Sequence, residues 1–463
     1  MSMTDITQHP ASFRDPAGFV FEHEGIFYRQ VNQCYAPAYG LFKSSGLYDT
    51  LVKEKKLIPH TELDKNLTGT PQWYTTLLPE QLPFISQPWE WCFGQWKDAA
   101  LLTLALVRKA MEKGMILKDA TPFNVQFTGS RPVFIDTLSF EPYDAGKPWI
   151  AYRQFTECFL GPLLLARYRS QELPGLFQLY PDGIPLSLVA KLLPFKSRFN
   201  LNVFLHIHLP ARIKPPATKE EMEAAEAKRP PFTQKKLVSI IDSLESLVRS
   251  LQLPASATAW NNYYEETVLG KAYIDEKMAV IGAWLSKLQP KRVLDIGANT
   301  GLFSEAAAAG GAFTIAVDAD ADCINRLYTT CRQKKIKNLL PLRTDITNPS
   351  PATGWNNEER SAFLRRARAD CTMALALVHH LAIGRNIGFG QIARVFHTLS
   401  PNLIIEFVPK TDPKVGLLLQ NRKDIFDQYN EAAFVQAFGE KYNVLERTAL
   451  PDSGRVLFLL KTK

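Results

Sequence analysis

The sequence predicts an α/β fold with a mostly parallel sheet in its second half, behind an α+β unit in its first half. Three observations predict it. An apolar run, Arg292-Val-Leu-Asp295, turns through Gly297 and Gly301 into an alanine-rich helix from Phe303 to Ala309. That strand, glycine turn and helix N-terminus is the βα unit that opens nucleotide-binding α/β domains. Two further apolar runs each end in an acid, Thr314-Ile-Ala-Val-Asp318 and Leu339-Leu-Pro-Leu-Arg-Thr-Asp345. The first half is instead rich in aromatics and prolines and reads as a domain of its own.

Each element has a local reason. Glycine at 297 and 301 permits dihedrals closed to a side chain and lets backbone approach a ligand. Dehydrogenases use similar turns, but they favour the tighter G-x-G-x-x-G spacing, which Ala298-Asn299 does not reproduce. Further on, Ala374-Leu-Ala-Leu-Val-His-His-Leu381 reads as a fourth strand with the segment after it, and Leu403-Ile-Ile-Glu-Phe-Val408 as a fifth. Tyr442-Asn-Val-Leu-Glu446 and Arg455-Val-Leu-Phe-Leu-Leu460 supply two more strands near the end.

In this order and spacing, the segment from about Trp260 to Lys463 resembles the class I S-adenosylmethionine-dependent methyltransferases. The resemblance implies a Rossmann-like, seven-stranded, mostly parallel sheet closed by antiparallel strands. It implies S-adenosyl-L-methionine as cofactor, with Asp295, Gly297, Asn299 and Gly301 in the first motif. Asp318 would meet the ribose hydroxyls, and Asp345 with Ile346 the adenine. Each also has a plainer reading: Asp318 as a helix cap, Asp345 as a solvated loop acid. Trp260, Tyr263 and Tyr264 stand where such enzymes place a cover over the cofactor, and pack equally well as part of a helix.

The chain has 463 residues, which suggests two or three domains. Hydrophobic residues make up 46% and charged ones 22%, as in an ordinary globular protein. The net charge of +8 permits an anionic partner without requiring one. No apolar run approaches the ~20 residues of a membrane span, and Met1 to Pro10 has no signal-peptide core. Six scattered cysteines without a C-x-x-C pair indicate neither a zinc site nor a disulfide framework, and a cytoplasmic location fits. The expected boundaries are 1–210 for the first domain, 211–258 for a linker and helix, and 259–463 for the second domain. The linker rests on Pro215-Pro216, Pro230-Pro231 and the Glu/Lys/Ala-rich stretch between them. Lys236 to Leu251 follows as an amphipathic helix. Arg365, Arg366 and Arg368 read as a solvated helix face rather than an RNA-binding stripe.

A second constellation lies in the first half. Asp119 and Asn124 have the D-x-x-x-x-N spacing of a kinase catalytic loop, and Asp136 follows a later apolar strand, as the magnesium-holding acid does. Trp96 to Lys113 supplies the preceding helix. The resemblance breaks elsewhere: no glycine-rich phosphate loop precedes it, Arg29 stands where a lysine is required, and Thr137-Leu138 replaces Phe-Gly. The first half therefore resembles a degenerate kinase-like domain. Asn124 and Asp136 are its candidate metal-facing residues, and acids that merely tie a loop to a strand remain the alternative. Over nearly its full length the chain resembles the family that includes the nodulation protein NoeA, carried by segments such as Phe134-Ile-Asp-Thr-Leu-Ser-Phe140 and Glu406-Phe-Val-Pro-Lys410.

The implied chemistry is methyl transfer to an unidentified small molecule, glycoconjugate or macromolecule, with the first domain presenting the acceptor. His380 and His379 are the candidate bases, since an unperturbed imidazole titrates at about 6.5. Packing under a helix is their plainer role. Glu406 either orients the acceptor or forms a surface ion pair with Lys410. Methylation of RNA and an inactive scaffold or ligand sensor remain open, although the sequence holds neither an RNA-binding module nor an Asn-Pro-Pro-Tyr motif.

Overall fold

Alternating apolar and polar residues over Phe19–Val31 are drawn into a hairpin whose two turn residues take positive φ, 53° at Glu24 and 77° at Gly25. This mirror-image turn matches the right-handed twist of adjacent strands. The computed structural model describes residues 6–213, 232–254, 270–420 and 423–463. They fall into two compact units, one drawn mainly from residues up to 254 and the other mainly from residues 270 onward. Trp260, Tyr263, Tyr264 and most of the proline-flanked linker lie outside the described residues.

The first unit opens with β1 (Thr7–Gln8), β2 (Gly18–His23), β3 (Ile26–Asn32), β4 (His60–Leu63) and β5 (Trp73–Pro79), an antiparallel sheet in the order β1-β2-β3-β5-β4. A long helix follows at Phe93–Glu112, burying Trp96, Ala99, Leu104 and Val107 along one face. It starts three residues before Trp96, where the sequence reading begins it. Pro88–Glu90 forms a 3-10 turn, in which the Glu90 carboxylate accepts from the Gln87 N–H at 2.9 Å. Then β6 (Met115–Leu117) pairs antiparallel with a later strand, while β7 (Val125–Thr128) and β8 (Arg131–Phe134) form a short hairpin. The partner of β6 is β9 (Phe140–Pro142).

In the second unit the helix Lys271–Leu288 packs Tyr273, Ile281 and Trp284 into the core that also holds Val293, Phe303 and Met373. The sheet comprises β10 (Arg292–Ile296), β11 (Phe313–Asp318), β12 (Leu339–Arg343), β13 (Cys371–Ala374), β14 (Asn402–Phe407), β15 (Tyr442–Ala449) and β16 (Val456–Thr462). Their order is β12-β11-β10-β13-β14-β16-β15, parallel except for β16, which runs antiparallel to both neighbours. The central strands are apolar on both faces, as a sheet covered by helices on two sides requires. The order reverses between β10 and β13, and ligands bind outside the carboxyl ends of strands at such a switch point. The fourth strand is Cys371–Ala374, ending where the sequence reading begins it, and the run after Ala374 bends into the helical turn that carries the two histidines.

The glycine turn is sterically fixed. Gly301 has φ of 86°, and a Cβ there would stand 2.3 Å from Leu327 Cδ1, 2.7 Å from Cδ2 and 3.0 Å from Cγ. Leu327 is fully buried, so moving its side chain aside would displace the core around it. Gly301→Ala is expected to destabilise the unit by about 2–4 kcal/mol, combining left-handed strain with overpacking. Urea denaturation of the variant measures it, and a loss within error of zero contradicts the packing.

Candidate active site

The turn after β10 puts several sequence-predicted residues together. Gly297, Asn299 and Gly301 all take positive φ, 76°, 52° and 86°; asparagine is among the few side chains that tolerate this region. Gly297 and Ala298 both donate their N–H to the Val317 carbonyl, drawing the turn against β11. The Asn299 N–H donates to Asp318 Oδ2 at 2.9 Å and the Asp320 N–H to Oδ1 at 2.9 Å. Asp318 thus rims the turn from the end of β11, while the neighbouring Asp320, not Asp318, caps the next helix.

Asp295 is placed differently. It is buried, accepts from the Ser304 hydroxyl at 2.5 Å, and burial raises its carboxyl to about 6. It therefore ties the strand end to the first turn of helix Leu302–Ala309. Asp345 lies beyond β12 in a half-exposed turn, accepting from the Thr347 N–H and hydroxyl on Oδ1 and facing Arg385 from Oδ2 at 3.4 Å. Ile346 beside it is half-buried.

His379 and His380 follow β13, their rings 4.1 Å apart, where the chain enters a π-helical turn at His380–Gly384. Such turns are frequent at functional sites. His379 is fully buried, and neither ring nitrogen meets a partner among the described residues. His380 is half-buried. An ordinary imidazole value does not hold for either. Burial drives His379 well down, and burial with the positive charges of Arg455 and Lys414 brings His380 to about 4. His380 is therefore neutral at pH 7, a proton acceptor with its partly exposed ring at the carboxyl edge of the sheet.

Glu406 makes no surface pair with Lys410, which instead binds Asp424 at 2.9 Å. Its carboxylate is fully buried and meets Lys277 Nζ at 2.6 Å, the Tyr273 hydroxyl at 2.5 Å and Arg455 Nη1 at 3.4 Å. The Ala376 N–H donates to it at 2.7 Å. Arg455 also gives Nε to Asp412 at 2.7 Å, and Asp412 caps the helix Pro413–Leu419. Burial pushes the Glu406 carboxyl up, but Lys277 and Arg455 outweigh it and hold it below its ordinary value. Ala376 sits at φ of 49°, costing an L-residue about 1–2 kcal/mol. Its bond to Glu406 helps to hold this strained link between β13 and the histidines.

Tyr273, Lys277, Asp412 and Arg455 were not singled out from sequence for this cluster. Tyr273 and Lys277 stand four apart, the helical spacing that places two side chains on one face. That signal alone names no partner.

In the first unit, Asp119 accepts from Gln154 at 2.6 Å and from Asn124 at 3.1 Å. Asp136 Oδ1 takes an ion pair from Arg29 and the Leu138 N–H, and Oδ2 takes the Ser139 hydroxyl. Among the described residues no cluster of His, Cys, Asp and Glu is arranged to hold a metal ion.

No protein-family profile matches the chain. The nodulation protein NoeA of Rhizobium meliloti strain 1021 is 34% identical over 454 residues, covering 96% of this chain and 94% of the relative. The solved structures similar in part include magnesium protoporphyrin IX methyltransferase from Synechocystis PCC 6803, at TM-score 0.32 and 14% identity over 44% of this chain and 93% of that one. The N-methyltransferase NodS of Bradyrhizobium japonicum WM9 gives TM-score 0.30 and 14% identity over 42% and 97%. Monomeric WbdD gives 0.30 and 14% over 47% and 48%.

The Glu406 cluster has two measurable consequences. Lys277→Met leaves buried carboxylate with one cation fewer and is expected to cost about 3–5 kcal/mol in urea denaturation. A carboxyl held below its unfolded value stabilises at pH above that value, and the contribution is lost as pH falls through the folded one. The wild type should thus lose stability on acidification below about 4.3, the ordinary glutamate value. Glu406→Gln should flatten that limb; an unchanged slope would show Glu406 to be uncharged.

Proposed function

The chain belongs to the family of the nodulation protein NoeA, and we propose that its second unit, whose sheet order fits a class I S-adenosylmethionine-dependent methyltransferase domain, methylates an acceptor held beside His380 at the carboxyl edge of the sheet. The observation that carries this reading is the Asp318 carboxylate, held on a backbone N–H at each oxygen beside a turn fixed in positive φ. The residues present fit the nucleoside. Gly297 and Gly301 let the turn take its positive-φ path, the Asp318 carboxylate suits ribose hydroxyls, and Asp345 with Ile346 lies at the next strand end for the adenine.

When bound, S-adenosylmethionine supplies an electrophilic methyl on a sulfonium whose positive charge disappears on transfer. The protein then mainly has to align the acceptor and exclude water, a contribution of roughly 7–11 kcal/mol. His380 is the group placed to accept the proton of a hydroxyl or amine acceptor; it is unprotonated across the neutral range but, held at about 4, is a weak base there. His379 lies under it, closing the wall on the protein side. Glu406 is a positioning residue. Fully buried, it is held by Ala376, Lys277, Tyr273 and Arg455, and through Ala376 keeps the histidine turn in place.

The first unit fits a degenerate kinase-like domain that presents the acceptor. Its order of antiparallel sheet, long helix, Asp119–Asn124 loop and Asp136 supports that reading. Arg29 brings a fixed cation to Asp136, the acid that phosphoryl-transfer enzymes use for magnesium.

Two variants separate binding from chemistry. In calorimetry with S-adenosylmethionine, Asp318→Ala is expected to weaken binding about tenfold or more, the value of roughly one or two charge-assisted hydrogen bonds. His380→Ala should leave that binding within a few-fold and lower label transfer from radioactive methionine-fed cells' acceptor pool by about 10²–10⁴. Absence of cofactor binding by the wild type would overturn the function. Full activity in His380→Ala would remove only the base.

A further inference from the structure

Between Gly183 and Lys219 the sequence contains no Asp or Glu, yet it carries Lys191, Lys196, Arg198, Arg212, Lys214 and Lys219. The described part of this stretch, through Ile213, folds as short elements packed on one another: helix Leu186–Leu192, a 3-10 turn Phe195–Phe199, helix Leu201–Val203, a π-helical turn Phe204–His208 and a 3-10 turn Pro210–Arg212. Their inner side is well made. Val203 and Ile207 are fully buried, Ser197 and His208 share a buried hydrogen bond of 2.8 Å, and His206 bridges Tyr152 and Ser243 at 2.8 Å each.

The outer side is unlike an ordinary protein surface. Phe195, Phe199, Leu201 and Ile213 are 67%, 79%, 67% and 70% exposed, and Leu205 and Leu209 are exposed beside them. The rings of Phe195 and Phe199 lie 5.6 Å apart, edge to face, and the Arg198 guanidinium sits 5.2 Å from the Phe195 centroid. An apolar set this exposed marks an interaction surface, and a rigid inner side shows that it is not a poorly packed core. Cations are interleaved with the apolar groups. The helix Gln234–Ser250 packs against this region, and its acids Asp242 and Glu245 are already engaged by Arg108 and Arg249.

We propose that this face docks the protein on an anionic lipid surface. Phenylalanine and leucine would enter the boundary between headgroups and acyl chains, with Lys196, Arg198 and Arg212 at the phosphates. Amphipathic lipid-binding segments combine the same features. Charge complementarity selects this occupant over a second copy of the chain, which would bring the same cations against themselves. It also places the methyltransferase beside acceptors held at a membrane, without requiring a spanning helix; no helix among the described residues is long and apolar enough to span.

The test is flotation of the full chain with vesicles of phosphatidylcholine alone and of phosphatidylcholine mixed with phosphatidylglycerol. The protein should float with the anionic vesicles only, and less as salt rises. Phe195→Ser combined with Phe199→Ser, and separately Lys196→Glu combined with Arg198→Glu, should each lower the bound fraction about tenfold. Circular dichroism and S-adenosylmethionine binding should stay as in the wild type, which separates this outcome from misfolding and from failure of the methyltransferase reading. No flotation by the wild type overturns the proposal, as does flotation indifferent to both pairs. Loss in the variants of self-association or RNA retention, with no vesicle binding, assigns the face to those partners and overturns it equally.

Discussion

A fully buried carboxylate at the end of β14 sets the terms for the second unit. Transferring an unpaired carboxylate from water into a protein interior costs several kcal/mol after relaxation, so Glu406 is tolerable only with its partners in place. Those partners come from separate parts of the chain: Tyr273 and Lys277 from the helix before β10, Ala376 from the link after β13, and Arg455 from the residue before β16. Asp412 then draws Arg455 toward the N-terminus of the helix Pro413–Leu419. One charge therefore constrains several elements at the edge where the sheet meets its ligands.

The topology explains why this is possible. Placing β16 antiparallel between β14 and β15 sets Val456 opposite Phe407 and Leu457 opposite Glu406. Arg455, one residue before β16, is thereby delivered to the carboxyl end of β14. A parallel seventh strand would bring the opposite end of its chain to that edge. On the other side of the switch point, Ala376 pays for its left-handed backbone with the bond to Glu406, and from that bend the chain rises into the turn carrying His379 and His380. The positive charges of Arg455 and Lys277 also reach His379, adding to the burial that keeps it neutral.

How legible this was in the sequence depends on the range of the forces involved. The glycine turn, the β11 acid and the strand series are local signals: backbone dihedrals at Gly297 and Gly301, and apolar runs ended by Asp318 and near Asp345, can be read within a few residues. The resemblance of the second half to class I methyltransferases was read from them, while the resemblance to the nodulation-protein family rested on segments such as Phe134–Phe140 and Glu406–Lys410. Glu406 was picked out by its place at a strand end, but its nearest charged neighbour in sequence, Lys410, is not its partner. The true partners lie far away in the chain, and only folding brings them within 4 Å. The histidine environment failed for the same reason, since an imidazole's basicity follows the burial and charge around it. The fourth strand was placed too far along the chain, from Ala374 where β13 ends, because an apolar run reads alike as buried strand or buried helical turn.

Arginine closes an acid in both units, and solvent access differs between the two. Arg29 and Asp136 retain 17% and 13% of their side-chain exposure, whereas Arg455, Asp412 and Glu406 retain at most 2%. The first pair is only somewhat more open, since Asp136 is itself buried and also takes the Leu138 N–H and the Ser139 hydroxyl. Removing one member of the second cluster strands a charge without water, at a cost of about 3–5 kcal/mol. The Glu406 cluster is therefore the more completely closed of the two, and the elements it joins at the carboxyl end of β14 are held correspondingly firmly.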